Sequence, residues 1–328
     1  MAASPTLKKI GVLTSGGDAP GMNAAVRSVV RTAITSGIEV VGVLQGYYGA
    51  VHNKMQPLTM GSVANIIQRG GTILKSGRAP EFLRSEVRTQ AMANLRAAGI
   101  EGLVAIGGDG TFNGAHLMAQ EHGLRVVGIP GTIDNDIFGT EETIGFDTAL
   151  NTALEAIDRI RDTAASHDRL FIVEVMGRDS GFIAIDVGLA GGAEEVFIPE
   201  TMANVDQAIQ SIKRGVQRGK SSSILVAAEG QKQGRAYDLA EQIRRKAGFD
   251  AKVCVLGHIQ RGGPPTARDR ILASRLGFSS VRALQQGLSD VMIGLQGGQV
   301  VPVPLKDCVT KKRRVPQELI ELANLLAH

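Results

Sequence analysis

Leu103-Val104-Ala105-Ile106-Gly107-Gly108-Asp109-Gly110-Thr111 is an apolar, β-rich run that breaks into glycines around one carboxylate. A buried strand that ends this way and passes into a stretch of helical period reads as half of a βαβ unit. The pattern recurs along the chain, and strands are expected at 10–13, 40–43, 103–106, 126–129, 171–175, 224–226 and 253–256. Helical stretches lie between them, including 22–35, closed by Gly37, and 148–165, where Leu150, Leu154, Ile157 and Ile160 fall on one face. Such alternation predicts an α/β fold built on a mainly parallel sheet. At 328 residues the chain is long enough for two lobes. No low-complexity linker divides them, so structured chain is expected to cross the boundary near 139–145.

Composition agrees with a sheet covered by helices. Hydrophobic residues make up 43% and aromatics only 4%, with no Trp, so the interior must be built from Val, Ile, Leu and Ala. Glycine reaches 41 residues without fibrous periodicity, which implies many close backbone turns. The net charge of +4 is spread out apart from Lys311-Lys312-Arg313-Arg314, which reads as a solvated approach to a helix. No aromatic residues interleave that run, so nucleic acid is not expected as a partner. A mildly basic balance suits phosphorylated ligands. Cys254 and Cys308 lack metal-type spacing and read as buried thiols of a reducing compartment. The residues before Lys8 are too few and too polar for a signal peptide, and no apolar run approaches membrane-spanning length. A cytoplasmic protein without membrane partners is expected.

In open α/β sheets ligands bind beyond the carboxyl ends of strands, so the loops there carry the candidates. The first, Thr14-Ser15-Gly16-Gly17-Asp18-Ala19-Pro20-Gly21, opens a helix and offers an anion its backbone N–H groups, although one glycine pair alone also suits a plain tight turn. The second holds Asp109 among three glycines, a composition for Mg²⁺ with nucleotide phosphates, with helix capping as the plainer reading. The third is Pro130-Gly131-Thr132-Ile133-Asp134-Asn135-Asp136. In an extended segment Asp134 and Asp136 would point the same way, one accepting a hydroxyl proton and the other staying near the metal. Alone such a run is more often an Asx-rich turn than a catalytic centre. Arg78, Arg169, Arg178 and Arg261 present planar forks matched to phosphate oxygens, and His258 is a further donor. The three loops together point to phosphoryl transfer, with Asp134 as base and a nucleotide held on glycine-rich turns.

Taken in order, TSGGDAPGMNA, IGGDGT, PGTIDND, EVMGR and LGHIQRGG resemble the bacterial-type ATP-dependent 6-phosphofructokinase family over nearly the whole chain. That resemblance implies two Rossmann-like αβα lobes with the active site in the cleft between them. It implies an ATP-binding lobe of residues 1–144 and 259–310, and a fructose 6-phosphate and effector lobe of residues 145–258 and 311–328. The implied reaction moves the ATP γ-phosphoryl group to the 1-hydroxyl of fructose 6-phosphate with Mg²⁺. By motif match Asp134, Thr132 and Arg178 are catalytic, and Asp109 is the metal carboxylate. Gly17, Tyr47, Arg78, Ala79, Gly108, Asp109, Gly110 and Thr111 match ATP contacts. Thr132, Ile133, Asp134, Arg169, Met176, Gly177, Arg178, Glu229, Lys252, His258 and Arg261 match sugar-phosphate ligands. Lys252 stands where arginine is usual. Arg169 resembles a ligand donated across a subunit boundary, which implies a homotetramer with shared sites. Arg27, Arg31, Arg161, Glu194, Arg218 and Lys220 match a site for an ADP or phosphoenolpyruvate effector, while Met60 replaces an expected arginine. Pyrophosphate-using relatives carry Asp and Lys where this chain has Gly110 and Gly131, so the resemblance implies ATP as donor. Nicotinamide-dinucleotide and lipid kinases share GGDGT but would lack EVMGR and LGHIQRGG. A non-catalytic sugar-phosphate sensor would have no need of both Asp109 and Asp134.

Overall fold

The computed structural model describes residues 7–77, 79–165, 170–202, 204–220, 222–230 and 233–327. Along the chain run β1 (Lys9–Thr14), α1 (Met22–Thr35), β2 (Glu39–Val43), α2 (Tyr47–Val51), β3 (Met55–Leu58), α3 (Ser85–Ala97), β4 (Gly102–Gly107), α4 (Asp109–His122) and β5 (Arg125–Pro130). There follow α5 (Phe146–Ala165), β6 (Leu170–Val175), α6 (Phe182–Gly191), β7 (Glu195–Phe197), α7 (Val205–Gln217), β8 (Ser223–Ala228), α8 (Arg235–Ala247) and β9 (Ala251–Val255). The chain closes with α9 (Ala267–Gln285), β10 (Val291–Gln296), β11 (Gln299–Pro304), α10 (Leu305–Thr310) and α11 (Gln317–Leu326). It divides into two compact units, the first of Met1–Thr132, Ile137–Asp147 and Arg261–Arg313, the second of Ile133–Asp136, Thr148–Gln260 and Arg314–His328.

Among the described residues, the first unit holds a seven-stranded sheet in the order β11-β10-β5-β4-β1-β2-β3. Its strands run parallel from β10 to β2, and β3 and β11 are antiparallel edges. The second unit holds a four-stranded parallel sheet, β7-β8-β6-β9. All seven expected strands are present. The sequence patterns left out β3, β7, β10 and β11, for local reasons. Pro57 in β3, and Pro302 and Pro304 in β11, break the apolar pattern, and a strand carrying proline belongs at a sheet edge. The β10–β11 hairpin turns on Gly297 and Gly298, with φ of 55° and 74°, a two-residue turn that needs positive φ at both positions. β7 is only three residues long.

Each unit has its own core. In the first, Leu103, Ala105, Phe112 and Met118 pack with Val126 and Leu305; in the second, Ile172 and Leu225 pack with Ile212, Leu239 and Ile243. α1 lies against α9, where a Cβ on Gly277 would come within 2.6 Å of the Ser28 Cβ, and the Ser28 hydroxyl donates to the Ser274 carbonyl at 2.7 Å. The buried stripe of α5 differs from the expected one. Ala149, Ala153, Ile157 and Ala164 are buried, whereas Leu150, Leu154 and Ile160 are only partly covered. Small alanines allow close approach, so the larger side chains are left at the margins of the contact. Both cysteines are free; Cys308 is buried as expected and Cys254 half-buried. No helix among the described residues is long and apolar enough to cross a membrane.

Candidate active site

Two of the motif loops and the start of the third, as far as Thr132, meet in the first unit because β1, β4 and β5 are neighbours in register. Thr14 pairs with Ile106, and Gly107 with Pro130. Beyond these pairs the Ser15 N–H donates to the Ile106 carbonyl at 3.0 Å, and the Gly131 N–H to the Gly107 carbonyl at 2.9 Å. Gly107 is dictated by this crowding, since a Cβ there would lie 2.3 Å from the Thr111 Oγ1 and 2.5 Å from the Ser15 carbonyl oxygen. The Thr132 Cβ stands 3.7 Å from where a Gly108 Cβ would be, so the third loop lies beside the second. The first loop is not the bare anion turn that its glycines suggest. The Arg261 guanidinium donates to the Asp18 carbonyl at 3.1 Å, and a Gly17 Cβ would fall 2.3 Å from its Nη1. Glycine at 17 makes room for a cation above the turn.

Asp109 begins α4 and does not cap it. Its Oδ1 is buried with no hydrogen-bond partner, as is the Oγ1 of Thr111, which is 2% exposed. Its Oδ2 is taken by the Lys312 ammonium. Mg²⁺ usually takes one or two protein carboxylates and completes its shell with phosphate and water oxygens. An orphaned carboxylate oxygen among glycines fits that demand, and among the described residues no group of three or more His, Cys, Asp or Glu side chains could hold a metal by itself. Tyr47 supports the loop from the core: 4% exposed and stacked on Phe82 with centroids 4.2 Å apart, it donates its hydroxyl to the Thr111 carbonyl. Burial pushes its phenol far above the usual range. Gly110 differs from its neighbours, because a Cβ there would meet nothing within 4 Å.

The basic run at 311–314 is extended, and it is not simply solvated. Lys312 forms an antiparallel bridge with Ile137 besides its ion pair with Asp109, and Lys311 pairs with Asp307 at 3.0 Å and lies over the Phe138 ring. The sequence shows the charges but not the acid 203 positions away that receives one of them.

Asp134 is half-buried in the second unit. The expectation of an extended acidic segment is corrected there, because Asn135 adopts a left-handed φ of 52° and interrupts the alternation of side chains. Asn tolerates this conformation better than most residues. The Asp134 carbonyl accepts from the Ser180 hydroxyl at 2.8 Å, and the Ser180 N–H donates to the Gly177 carbonyl at 2.8 Å. Gly177 has φ 137° and a Cβ would clash with the Ser180 carbonyl at 2.4 Å, while Arg178, itself at φ 51°, is exposed. The EVMGR motif is thus a strained turn that presents Arg178 while Ser180 holds the acidic loop. Glu229 takes hydrogen bonds from the Gln233 side chain and the Arg178 backbone; burial, then the Asp134 charge, raise its carboxyl.

Burial, reinforced by the Asp134 charge, pushes Asp136 up to about 6 from 3.8. Between these values the folded state binds the Asp136 proton more tightly than the unfolded chain does, so this group makes stability fall as pH rises from about 4 to about 6. Asp136→Asn should therefore raise the Tm at pH 7.5, with the gain vanishing near pH 4. Calorimetry at both values checks this, and an equal gain at the two would rule out the titration.

Two anchors lie outside the candidate site residues. Ser180 stands two residues after EVMGR with no sequence signal of its role. Gln260, fully buried inside LGHIQRGG, accepts the Met176 N–H at 2.8 Å and reaches the Ala149 carbonyl at 3.4 Å. Flanked by His258, Ile259 and Arg261, it carries no local signal of burial. Among the expected ligands, Ile133 and Met176 are buried and His258 is exposed. Lys252 is exposed and pairs with Asp250 at 2.7 Å. Ala79 is half-buried; Arg78 and Arg169 lie outside the described residues. Of the expected effector ligands, Glu194 accepts from Lys220 and from the Ile224 N–H, Arg161 donates to the Gly191 and Gly192 carbonyls, and Arg218 is exposed. Arg27 and Arg31 are half-buried on α1, the Arg31 Nε buried without a partner. Met60 is 37% exposed and lines an apolar cavity of about 490 Å³ beside β2 and β3.

The family model for phosphofructokinase matches residues 9–284, spanning both units. The chain belongs to the phosphofructokinase family. It is 58% identical over 321 residues to the ATP-dependent 6-phosphofructokinase 1 of Thermus thermophilus, covering 98% of this chain and 100% of that protein. It is 50% identical to the ATP-dependent 6-phosphofructokinase of Halothermothrix orenii, again covering 98% and 100%. The solved phosphofructokinase of Saccharomyces cerevisiae superimposes with a TM-score of 0.84 at 36% identity; the match covers 97% of this chain and 46% of that longer one. A pyrophosphate-dependent phosphofructokinase from Marinobacter aquaeolei superimposes with a TM-score of 0.84 at 23% identity over 98% of this chain and 92% of that one, a likeness of fold alone. Since one fold carries both donors, the donor has to be read from residues.

Proposed function

We propose that this chain is an ATP-dependent 6-phosphofructokinase, moving the γ-phosphoryl group of ATP to the 1-hydroxyl of D-fructose 6-phosphate to give fructose 1,6-bisphosphate and ADP. The observation that carries this reading is the end-to-end match to enzymes bearing that name. In the proposed division of labour the loops of the first unit hold the nucleotide, and the Asp134, Arg178 and Glu229 groups of the second address the sugar phosphate. Asp109 would hold Mg²⁺ through its orphaned Oδ1; such an ion offsets charge on the β- and γ-phosphates. Asp134 accepts the proton of the attacking hydroxyl, and Thr132 and Arg178 steady the transferring group. Phosphoryl transfer asks little covalent work of the protein, so positioning by Ser180 and Gly177 is the main demand on the scaffold.

Gly110 supports ATP as donor, because the open space above it leaves room for a nucleotide that a side chain would fill. A cytoplasmic homotetramer with Arg169 lent to a neighbouring subunit completes the proposal. An ADP or phosphoenolpyruvate effector would draw on Arg27, Arg31, Arg161, Glu194, Arg218 and Lys220, with Met60 weakening its phosphate grip. A coupled assay with fructose 6-phosphate should show turnover with ATP and little with pyrophosphate. Turnover with pyrophosphate alone would overturn the donor, and none with either would overturn the activity.

A further inference from the structure

We propose that Lys312 is the resident counter-ion of Asp109 in the nucleotide-free chain, and that it bars free divalent cations from that carboxylate until they arrive bound to a nucleotide. The inference rests on the reading of Asp109 as the metal carboxylate. The two oxygens of Asp109 have contrasting surroundings: Oδ1 is buried with no partner, and Oδ2 is held by the Lys312 ammonium. The Thr111 hydroxyl, two residues on, is also buried and unpartnered, so the loop keeps unsatisfied oxygens beside an already neutralised acid.

The position of Lys312 suits an exchange. Its backbone is tied down at Ile137, and the preceding residue is fixed separately by Asp307 and by the Phe138 ring. The Lys312 side chain is 54% exposed, so it can leave the carboxylate while its segment stays in place. A divalent ion and an ammonium a few ångströms apart on one carboxylate repel each other. A free cation would have to expel Lys312 into water and receive one carboxylate in return. A metal–nucleotide complex brings phosphate oxygens that complete the metal shell and also offer the displaced ammonium new partners. The pair therefore discriminates between the free ion and its nucleotide complex, something Asp109 alone would do less well.

The test uses the full-length, nucleotide-free protein titrated with Mn²⁺ and followed by electron paramagnetic resonance, with Mn²⁺–ATP binding measured alongside. Wild type should bind free Mn²⁺ weakly. Lys312→Met and Lys312→Gln should each bind it about tenfold more tightly, Lys312→Arg should stay near wild type, and the double variant Asp109→Asn with Lys312→Met should lose the gain. If neither neutral variant binds free Mn²⁺ more tightly, while Asp109→Asn still weakens Mn²⁺–ATP binding, the inference fails and the metal reading stands. If Asp109→Asn leaves Mn²⁺–ATP binding unchanged, the metal reading fails and takes the inference with it.

Discussion

Asp134→Asn is expected to lower kcat by roughly 10²–10⁴-fold, the range lost when a positioned general base is removed, with little change in KM. Asn keeps the shape of the side chain, and the Ser180 hydroxyl holds the loop through the Asp134 carbonyl, which the substitution leaves in place. What disappears is the proposed proton acceptor and one negative charge. The base works only as the hydroxyl is deprotonated, so substrate binding should survive. The variant should also be no less stable than wild type, because the Asp134 charge raises the carboxyls of both Asp136 and Glu229, and removing it relieves that repulsion. Steady-state kinetics with thermal unfolding separates these effects. A kcat within a few-fold of wild type would remove Asp134 from its role, and a large loss of Tm would make its contribution structural.

Gly110→Asp should reduce kcat/KM for ATP by about two orders of magnitude, mostly through KM, equivalent to about 3 kcal/mol of lost interaction. Position 110 is one where the protein itself raises no objection to a side chain, since a Cβ would meet nothing within 4 Å. It lies in the first turn of α4, where a carboxylate is favoured by the helix dipole, so the variant should fold and lose no stability. The loss would then come from a second negative charge beside Asp109, set where the nucleotide phosphates are proposed to lie. Gly131 offers no such clean test, because its Cβ would press on the Ile106 Cγ2 at 3.1 Å and the Met22 Cε at 3.2 Å, mixing core strain with ligand effects. Unaltered ATP kinetics in Gly110→Asp would take the nucleotide away from this loop.

The sequence by itself determined seven of the strands, their loops and the chemistry of those loops. Each signal is local: an apolar run needs only its own residues to read as a strand, and Asp109 among glycines announces a close backbone approach. Gly110 was legible in the same way, since an absent side chain is a statement about one position. β3 and β11 escaped because proline hides their period, β7 because it is only three residues long, and β10 because it pairs with β11 through a glycine turn. Only the tertiary structure decided how the loops are held. Ser180 reaches Asp134 across 46 positions, Gln260 reaches Met176 across 84, and Lys312 reaches Asp109 across 203. Such partners leave no periodic trace, because a hydrogen bond or ion pair is satisfied by whatever group the fold delivers, however far away along the chain. Asn135 shows the same division: its residue type permits a left-handed backbone, but the fold imposes it.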